Sequence, residues 1–338
     1  MVNSRHIDDY FVLDGKPITS LDAWKIRREE LKNAFQRHQY GFRPEHITPS
    51  IRVSDGPLSF ASKVRWDEVY FTFERGNKSH TVKANLLLPK GKDKVPMFLD
   101  ISFLREVPHK YLPLEEIIDN GFGVFSFCYE DVTTDNGDFE NGLAGLFEGD
   151  YGKLSLWSYM ASICMDYLCT RDEVDKDNVA IIGHSRLGKT ALLTSALDER
   201  FILTCSNESG CCGAAISREK PSDAEALSDI IGTFPFWFIR SFSSDASVLP
   251  FDQHMLLALI APRYVMIGAA IEDVWADNEG QLLSCQLASK AWGYYGKGGL
   301  SADLDSGEVA FYTRGGSHFL SREDWQRYMK KFKEIIKR

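Results

Sequence analysis

The sequence predicts an α/β fold, with a doubly wound, mostly parallel sheet between two layers of helices. Short apolar segments of strand length alternate with helix-length segments through the second half of the chain. A glycine-containing turn at residues 183–190 joins one of these strands to a helix. The chain has 338 residues, of which 44% are hydrophobic, so it can bury one large core. These observations favour a parallel sheet that helices cover on both faces in a three-layer sandwich.

The first half of the chain predicts a helical opening followed by strands. Strands are expected where apolar residues alternate or run together, at 63–73, 80–88, 95–101 and 123–129. Helices are expected at about 20–40, at 114–120, where Gly121 ends the helix, and, after a polar, Gly-rich loop at about 131–153, at about 154–171.

The second half predicts a regular alternation of strands and helices. The strands are 178–183, 201–206, 263–270 and 308–313. The helices are 188–199, 223–243 (mainly helix), 253–260, 277–295 and 321–337. The last helix opens with Ser321 and Asp324 in a capping-box spacing. Because no repeat, low-complexity stretch or linker divides the chain, we expect a single catalytic domain over 1–338, with the N-terminal helical segment at about 20–41 packed on it.

The composition argues against several classes of function. The formal net charge is −9 and no long Lys/Arg stripe occurs, which argues against a nucleic-acid surface. No apolar run approaches the length of a membrane span, and the polar start of the chain does not resemble a signal peptide. We therefore expect no nucleic-acid partner, no membrane partner and a monomer.

The seven cysteines do not form a metal-binding pattern. The CxxxxC of 164–169 and the vicinal pair 211–212 match no zinc spacing, and the chain has no HExxH motif. We expect most of these thiols to be buried packing groups, with one disulfide possible, and we expect no metal and no cofactor.

The octapeptide at 183–190, GHSRLGKT, has two interpretations. It satisfies the phosphate-binding P-loop pattern G-x-x-x-x-G-K-[ST]. It is also close to G-x-S-x-G, the nucleophile elbow of α/β-hydrolases, centred on Ser185 and with its second glycine one place late, at Gly188. Both interpretations require a strand before the turn and a helix after it, and the chain supplies both.

The rest of the chain favours the hydrolase. The P-loop interpretation has bulky residues between its glycines and a position past the middle of the chain. The hydrolase requires a serine, then an acid, then a histidine on a late loop. Ser185 is followed by Glu208, Asp273 and then His318, which lies between the last strand and the last helix.

Each of these residues then has a chemical role. Ser185 needs a base to take its proton, and His318 is the suitable base. An acid must hold the imidazole, and either Glu208 or Asp273 could do so. Chain order favours Asp273, because the usual acid follows the later strand. Arg186 could aim its backbone N–H and its guanidinium at a developing oxyanion.

Several ordered segments together resemble the glucuronoyl esterases, carbohydrate esterase family fifteen. They are GHSRLGKTAL at 183–192, NESGC at 207–211, FPFWF at 234–238, LPFDQHMLLALIAPR at 249–263, EDVWAD at 272–277 and GGSH at 315–318. The resemblance covers most of the chain from about residue 80 and implies a serine α/β-hydrolase that cleaves esters between 4-O-methyl-glucuronate on xylan and lignin alcohols. It also implies a secreted or periplasmic enzyme, with a cytoplasmic location as the alternative.

The resemblance also assigns residues. It implies Ser185 as nucleophile, Arg186 at the oxyanion and His318 as base. The acids of fungal and of many bacterial members correspond to Glu208 and Asp273, and this chain has both, so the partner of His318 stays open. The sugar-binding positions fall on Lys189, Glu225 and Trp275.

Two alternatives remain beside the glucuronoyl esterase. One is another carbohydrate esterase of the same fold, acting on acetylated or feruloylated xylan, and the other is a P-loop nucleotide-binding protein.

Other histidines and tryptophans are expected to have supporting roles. We expect His254 to be a structural, hydrogen-bonded residue and His184 to pack under the elbow. We expect His109 to border the site. Trp157 and Trp237 could line either the cleft or the core.

Overall fold

Nine strands build the sheet that carries the site. The structure, a computed structural model, describes residues 5, 7–57 and 60–337. Within these residues the strands are β1 (Val12–Leu13), β2 (Lys16–Pro17), β3 (Ser50–Asp55), β4 (Val64–Arg75), β5 (Lys78–Pro89), β6 (Val95–Ser102), β7 (Gly123–Cys128), β8 (Val174–His184), β9 (Leu203–Asn207), β10 (Tyr264–Ala270) and β11 (Val309–Arg314). Strands β1 and β2 form a separate hairpin, and the others form one sheet in the order β11-β10-β9-β8-β6-β7-β5-β4-β3.

The sheet is parallel over most of its width. Neighbours from β7 through β6, β8, β9 and β10 to β11 pair in parallel, whereas β3, β4, β5 and β7 pair antiparallel. Parallel neighbours require crossover connections, and the helices between these strands supply them. The prediction of a mostly parallel sheet flanked by helices is therefore confirmed.

Ten α-helices occur in the described residues. They are α1 (Leu21–Phe35), α2 (Leu114–Asp119), α3 (Tyr129–Val132), α4 (Lys153–Cys169), α5 (Arg186–Leu197), α6 (Leu227–Thr233), α7 (Gln253–Ala258), α8 (Asn278–Ala288), α9 (Lys290–Gly293) and α10 (Arg322–Ile336). Short 3₁₀ turns add Phe60–Ser62, Leu143–Leu146, Pro235–Trp237, Ala246–Val248 and Val274–Ala276, and a π-turn, Gln36–Tyr40, continues α1.

Each face of the sheet is covered by its own apolar cluster, because successive side chains of a strand point to opposite faces. On β6, Phe98 belongs to the face that α10 covers and Leu99 to the other face. The Phe98 ring lies 5.3 Å from that of Trp325 and 5.1 Å from that of Phe332, both on α10. This arrangement gives three layers.

Helix α1 packs on the larger apolar cluster. Its residues Trp24, Leu31 and Phe35 are fully buried, and the guanidinium of Arg28 donates to the carbonyl of Leu259. The predicted N-terminal helix is thus present and packed. That residues 1–338 form a single domain stays a prediction.

Two predicted helices differ from the structure. The prediction of a mainly helical 223–243 is wrong, because only α6 and the turn Pro235–Trp237 are helical there. Helix α6 ends at Thr233, and Phe234 and Trp237 pack together instead of continuing a helical stripe. The predicted helix 277–295 is divided into α8 and α9 at Ser289.

Strand β3 was not predicted. It lies at the outer edge of the sheet, and its side chains are mostly exposed, with Ile51 46% and Val53 43% exposed. Ile51 and Val53 alternate with polar residues, but neither face of the strand is buried, so these two exposed apolar side chains do not mark a strand that faces the core.

The cysteines meet a further expectation, and the helices allow one further observation. All seven cysteines are free, and all but Cys169 are buried, as expected of packing thiols. Among the residues described, none of the helices combines the length and the apolar composition needed to cross a bilayer.

The topology brings the candidate residues to one edge of the sheet. Strands β8, β9, β10 and β11 are consecutive neighbours, so their carboxyl ends lie side by side. Ser185 follows β8 and Glu208 follows β9, while the loops after β10 and β11 carry Asp273 and His318. Ligand sites of parallel α/β sheets form at this edge.

Candidate active site

Ser185 sits on a sharp turn between β8 and α5. Its backbone is in the left-handed region, with φ 57° and ψ −125°, which is unusual for a residue with a side chain. The turn is fixed from both sides, because the Ser185 N–H donates to the carbonyl of Asn207 at 2.8 Å and the Lys189 N–H donates to the carbonyl of Ser185 at 3.1 Å. Such strain is held where a nucleophile must project above the sheet.

Two glycines make this turn possible. A Cβ on Gly183 would collide with the backbone of Leu187, so the approach of helix α5 to the strand needs glycine there. A Cβ on Gly188 would lie 3.1 Å from the carbonyl oxygen of Asn207. The displaced second glycine therefore lets α5 pack closely on β9.

His318 lies beside two carboxylates. Its Nδ1 is 2.6 Å from Oδ2 of Asp273, in hydrogen-bond geometry. Oε2 of Glu208 is 3.2 Å from the same nitrogen but makes no hydrogen bond with a described residue. The His318 side chain is 45% exposed, whereas Glu208 is fully buried. The imidazole thus faces the cleft while both acids lie behind it.

The two carboxylates have opposite pKa shifts. Burial, and next its contact with Asp273, raises the pKa of Glu208 to about 7, against the opposing effect of His318 and Arg314. Burial also acts to raise the pKa of Asp273, but the hydrogen bond from His318 and the contact with Glu208 outweigh it, so the net pKa is lowered. Two adjacent carboxyl groups resist ionising together. Near neutral pH, Asp273 is therefore the more fully ionised member of the pair.

The contacts with Asp273 and Glu208 also shift the pKa of His318. Burial lowers the pKa of His318, but its hydrogen bond to Asp273 and the close contact with Glu208 raise it by more, to about 9. The acids thus stabilise the imidazolium, which is what a serine-activating base requires after it accepts the serine proton.

Arg314 holds this arrangement together, and no motif in the sequence pointed to it. Its guanidinium donates to Oε1 of Glu208 at 2.6 Å and to Oδ2 of Asp324 at 2.8 Å. It also donates to the carbonyls of Gly315 and Phe319, on either side of His318. One buried cation therefore fixes both an acid and the loop that carries the base.

His184 packs under the elbow, as predicted. It is 4% exposed, its Nδ1 lies 2.7 Å from Oδ1 of Asn207, and its ring centroid is 4.5 Å from that of His318. Burial, together with the neighbouring His318, lowers its pKa to about 3. A neutral ring here supports His318 without adding charge.

Arg186 is held by a carboxylate and by aromatic rings. It begins α5, so its backbone N–H has no intrahelical acceptor and lies at the positive end of the helix. Its guanidinium pairs with Asp135 and lies 4.8 Å from the ring centroid of Trp237 and 5.1 Å from that of Phe234. Both groups that we expect to bind the oxyanion thus belong to the residue that directly follows Ser185.

Asp135 is a site residue that sequence reasoning missed. Its Oδ1 accepts from Nε1 of Trp237 at 2.7 Å, and its Oδ2 accepts from the hydroxyl of Tyr129 at 3.1 Å as well as from Arg186. It is one of several carboxylates in a polar loop, so the sequence alone does not single it out. Its contacts fix the direction of the Arg186 side chain.

The three predicted sugar-binding residues lie together. Nζ of Lys189 is 3.8 Å from Glu225, and the Glu225 N–H donates to the carbonyl of Trp275 at 3.0 Å. Trp275 is 48% exposed, so it is not a core residue. Lys189 is buried and donates to the carbonyls of Ser209 and Cys211 at 2.6 and 2.5 Å. Its ammonium has a third N–H beyond these two bonds.

The other singled-out residues have supporting positions. Nε2 of His109 lies 2.9 Å from Oγ of Ser102, at the end of β6.

His254 is buried against Tyr10 and Phe11, but its Nδ1 has no hydrogen-bond partner among the described residues, which differs from the expected hydrogen-bonded histidine. Trp157 is a core residue, fully buried, whereas Trp237 belongs to the Arg186 cluster.

An aromatic cavity of about 430 Å³ adjoins the turn Pro235–Trp237. Its apolar walls come from the loop at 137–151 and the segment at 231–242, and its rings are Phe139, Phe147, Tyr151, Phe236, Phe238 and Phe242. The Phe236 ring lies 6.2 Å from that of Phe234, which in turn faces Arg186. Contacts between aromatic rings therefore connect the cavity wall with the Arg186 side chain.

Ligand atoms of Glu208, Asp273 and His318 lie within 4.8 Å of one another, a spacing that a metal ion could also use. Here Arg314 already binds one oxygen of Glu208 and Asp273 binds His318. A guanidinium next to the cluster opposes a second cation. The donor set therefore fits a hydrogen-bonded acid–histidine system better than a metal site.

Comparisons with known proteins show which family the chain resembles. The sequence pattern of the family described as "Glucuronyl esterase, fungi" matches residues 71–296. Carbohydrate esterase MZ0003, from an unknown prokaryotic organism, is 31% identical over 95% of this chain and 87% of its own length. The 4-O-methyl-glucuronoyl methylesterase of Schizophyllum commune is 26% identical over 86% of this chain and 73% of its own length.

A solved structure matches the whole fold. It is a promiscuous CE15 esterase from a marine bacterial metagenome, with a TM-score of 0.88 and 29% identity, and the match covers 98% of this chain and 97% of the other. The family pattern includes the octapeptide at 183–190 together with Glu208 and Asp273, so the P-loop interpretation has no support left. The chain belongs to the glucuronoyl esterase family, whose members are carboxylic ester hydrolases of the α/β-hydrolase fold.

Proposed function

We propose that this chain hydrolyses the ester between 4-O-methyl-glucuronate on xylan and a lignin alcohol, through an acyl-enzyme on Ser185. The observation that carries the proposal is the pairing of a strained serine elbow with a histidine that is hydrogen-bonded to Asp273 at the same sheet edge. Family membership supports the ester class, and the cluster of Lys189, Glu225 and Trp275 supports a sugar on the acyl side.

The first half of the reaction forms the acyl-enzyme. His318 takes the proton of Ser185 as Oγ attacks the ester carbonyl, and the imidazolium that forms is stabilised by Asp273. The tetrahedral oxyanion is bound by the Arg186 N–H and guanidinium. Collapse breaks the bond to the alcohol oxygen, and His318 returns its proton to that leaving group.

The second half releases the acid. His318 removes a proton from a water molecule that attacks the acyl-enzyme carbonyl, and the same oxyanion contacts stabilise the second tetrahedral intermediate. Collapse returns the proton to Ser185 and frees the glucuronate. Glu208 has a lesser part, because it is the less ionised acid and is fixed by Arg314.

The sugar would bind where Lys189, Glu225 and Trp275 meet. Trp275 offers an exposed flat surface, Glu225 an acceptor for sugar hydroxyls and Lys189 its remaining N–H. The aromatic cavity would receive an aryl group of the alcohol, because its Phe236 contacts Phe234, which packs against the Arg186 side chain. The substrate requires access from outside a cell, so we also propose a secreted or periplasmic enzyme.

Comparative turnover tests this proposal against another carbohydrate esterase of the same fold. We expect methyl and benzyl glucuronate esters to be hydrolysed with higher kcat/KM than acetylated xylan or methyl ferulate. Acetyl or feruloyl turnover exceeding glucuronate turnover on the same preparation would contradict the proposal. Trp275→Ala provides the matched control: KM for the glucuronate ester should rise, while hydrolysis of para-nitrophenyl acetate, which has no sugar, should stay unchanged.

A further inference from the structure

Asp277 closes the short turn that follows the catalytic acid Asp273. The turn Val274–Ala276 lies between these two aspartates, and it carries Trp275. Asp277 has a left-handed backbone, with φ 56°, and its Oδ1 accepts from the Gly280 N–H at 2.9 Å, which caps helix α8. Its side chain is only 2% exposed, so this carboxylate is buried at the border of the site.

Two cations from distant segments bind this carboxylate. The guanidinium of Arg5 donates to both oxygens, at 2.8 and 2.7 Å, and Nζ of Lys220 donates to Oδ2 at 2.9 Å. Arg5 and Lys220 are each 7% exposed. A bidentate guanidinium fixes a carboxylate in orientation as well as in position.

The two cations stabilise the ionised form of Asp277. Burial acts to raise the pKa of Asp277, but the Arg5 hydrogen bonds and the charge of Lys220 outweigh it, so the pKa is lowered. Removing Arg5 would leave Lys220 paired with Asp277 but would take away the bidentate contact that orients the carboxylate. The turn would then be held less firmly.

Backbone hydrogen bonds couple Asp277 to the reacting groups. The Asp277 N–H donates to the carbonyl of Val274 at 3.0 Å, and the Ala276 N–H donates to the carbonyl of Asp273 at 3.2 Å. The carbonyl of Trp275 accepts from the Glu225 N–H. A displacement of Asp277 therefore reaches Asp273 and Trp275 through one hydrogen-bonded turn.

We propose that Arg5 and Lys220 are positioning residues, which fix the turn at 273–277 through Asp277 so that Asp273 and Trp275 keep their places. The N-terminal segment is on this view a part of the active site, although it lies 272 positions from Asp277 in the chain. The inference rests on the proposed roles of Asp273 and Trp275.

Arg5→Met tests the proposal, with hydrogen–deuterium exchange and kinetics as readouts. Lys290→Met is the matched control, because Lys290 binds the same N-terminal segment at Asp9, at 3.0 Å, through an exposed pair. We expect faster exchange at residues 274–277 in Arg5→Met but not in the control. For a glucuronate ester we expect kcat to fall by about tenfold, as small misplacements of catalytic groups can cause, and KM to rise.

Two further variants complete the test. Arg5→Lys should restore part of both kinetic constants, and Lys220→Met should accelerate exchange at the same turn even if Arg5→Met fails to fold. Unchanged exchange at 274–277, or a loss of activity no larger than that of the control, would overturn the proposal. If the parent enzyme does not hydrolyse glucuronate esters, the proposed function fails, while exchange at the turn still decides whether Arg5 and Lys220 fix it.

Discussion

Asp273 and His318 form a 2.6 Å hydrogen bond at Nδ1 of the imidazole. Glu208 approaches the same nitrogen to 3.2 Å from the other side without hydrogen-bonding to it. The chain thus has two acids for one base, and geometry and ionisation both favour Asp273 as the partner.

Substituting the two acids should have unequal effects. We expect Asp273→Asn to lower kcat on the order of a thousandfold, because it removes the ionised group that holds the imidazole. We expect Glu208→Gln to lower kcat by only about tenfold, which corresponds to about 1.4 kcal/mol. Steady-state kinetics on a methyl glucuronate ester measure both. The opposite order would assign the partner role to Glu208.

The pH dependence of the enzyme should report on the raised pKa of His318. The base must be neutral to accept the serine proton, so activity is lost when pH falls below its pKa. Burial lowers this pKa, but the hydrogen bond to Asp273 and the close contact with Glu208 raise it by more, to about 9, above the ordinary 6.5. We therefore expect kcat/KM to rise with pH through a midpoint above 6.5. In Asp273→Asn the midpoint should move to lower pH, and an unmoved midpoint would contradict this account.

The Asp135–Arg186 pair should matter for kcat. Asp135→Asn leaves the stacking rings of Phe234 and Trp237 in place but removes the charge that orients the guanidinium. We expect kcat to fall about tenfold, less than the loss of about a hundredfold or more that follows removal of an oxyanion contact, because the guanidinium itself is still present. Asp131→Asn, which breaks a more exposed pair with Arg105, is the control and should be near parental. Equal effects in the two variants would refute the role of Asp135.

The aromatic cavity should distinguish alcohols. Phe236→Ala removes one ring of its wall, so kcat/KM for a benzyl glucuronate ester should fall about fivefold relative to that for the methyl ester, the effect of about 1 kcal/mol of lost apolar contact. Phe42→Ala, a substitution of a 48% exposed phenylalanine outside the cavity, provides the control. A benzyl-to-methyl ratio that stays unchanged in Phe236→Ala would show that the alcohol does not use this cavity.

The sequence allowed the nucleophile and the base to be predicted because local pattern and chain order determine them. The elbow motif lies between a strand and a helix, and His318 follows the last strand. The acid partner could not be chosen in this way, since β9 and β10 are neighbours and both Glu208 and Asp273 reach the same edge. Only the placement of the side chains distinguishes them, because Nδ1 of His318 lies 2.6 Å from Asp273 and 3.2 Å from Glu208.

Residues that act over long sequence distances were not predictable. Asp135 is one carboxylate of a polar loop, and Arg5 meets a carboxylate 272 positions away, so neither carries a local signal. The segment at 223–243 was misjudged for a related reason, because Phe234 and Trp237 pack around Arg186 instead of forming a helical stripe.

The most direct test of the central claim is hydrolysis of a benzyl glucuronate ester by Ser185→Ala. If Ser185 forms the acyl-enzyme, kcat should collapse by about a millionfold or to background, as loss of a serine nucleophile does, while the protein remains folded. Turnover by Ser185→Ala at a rate near that of the parent would contradict the account.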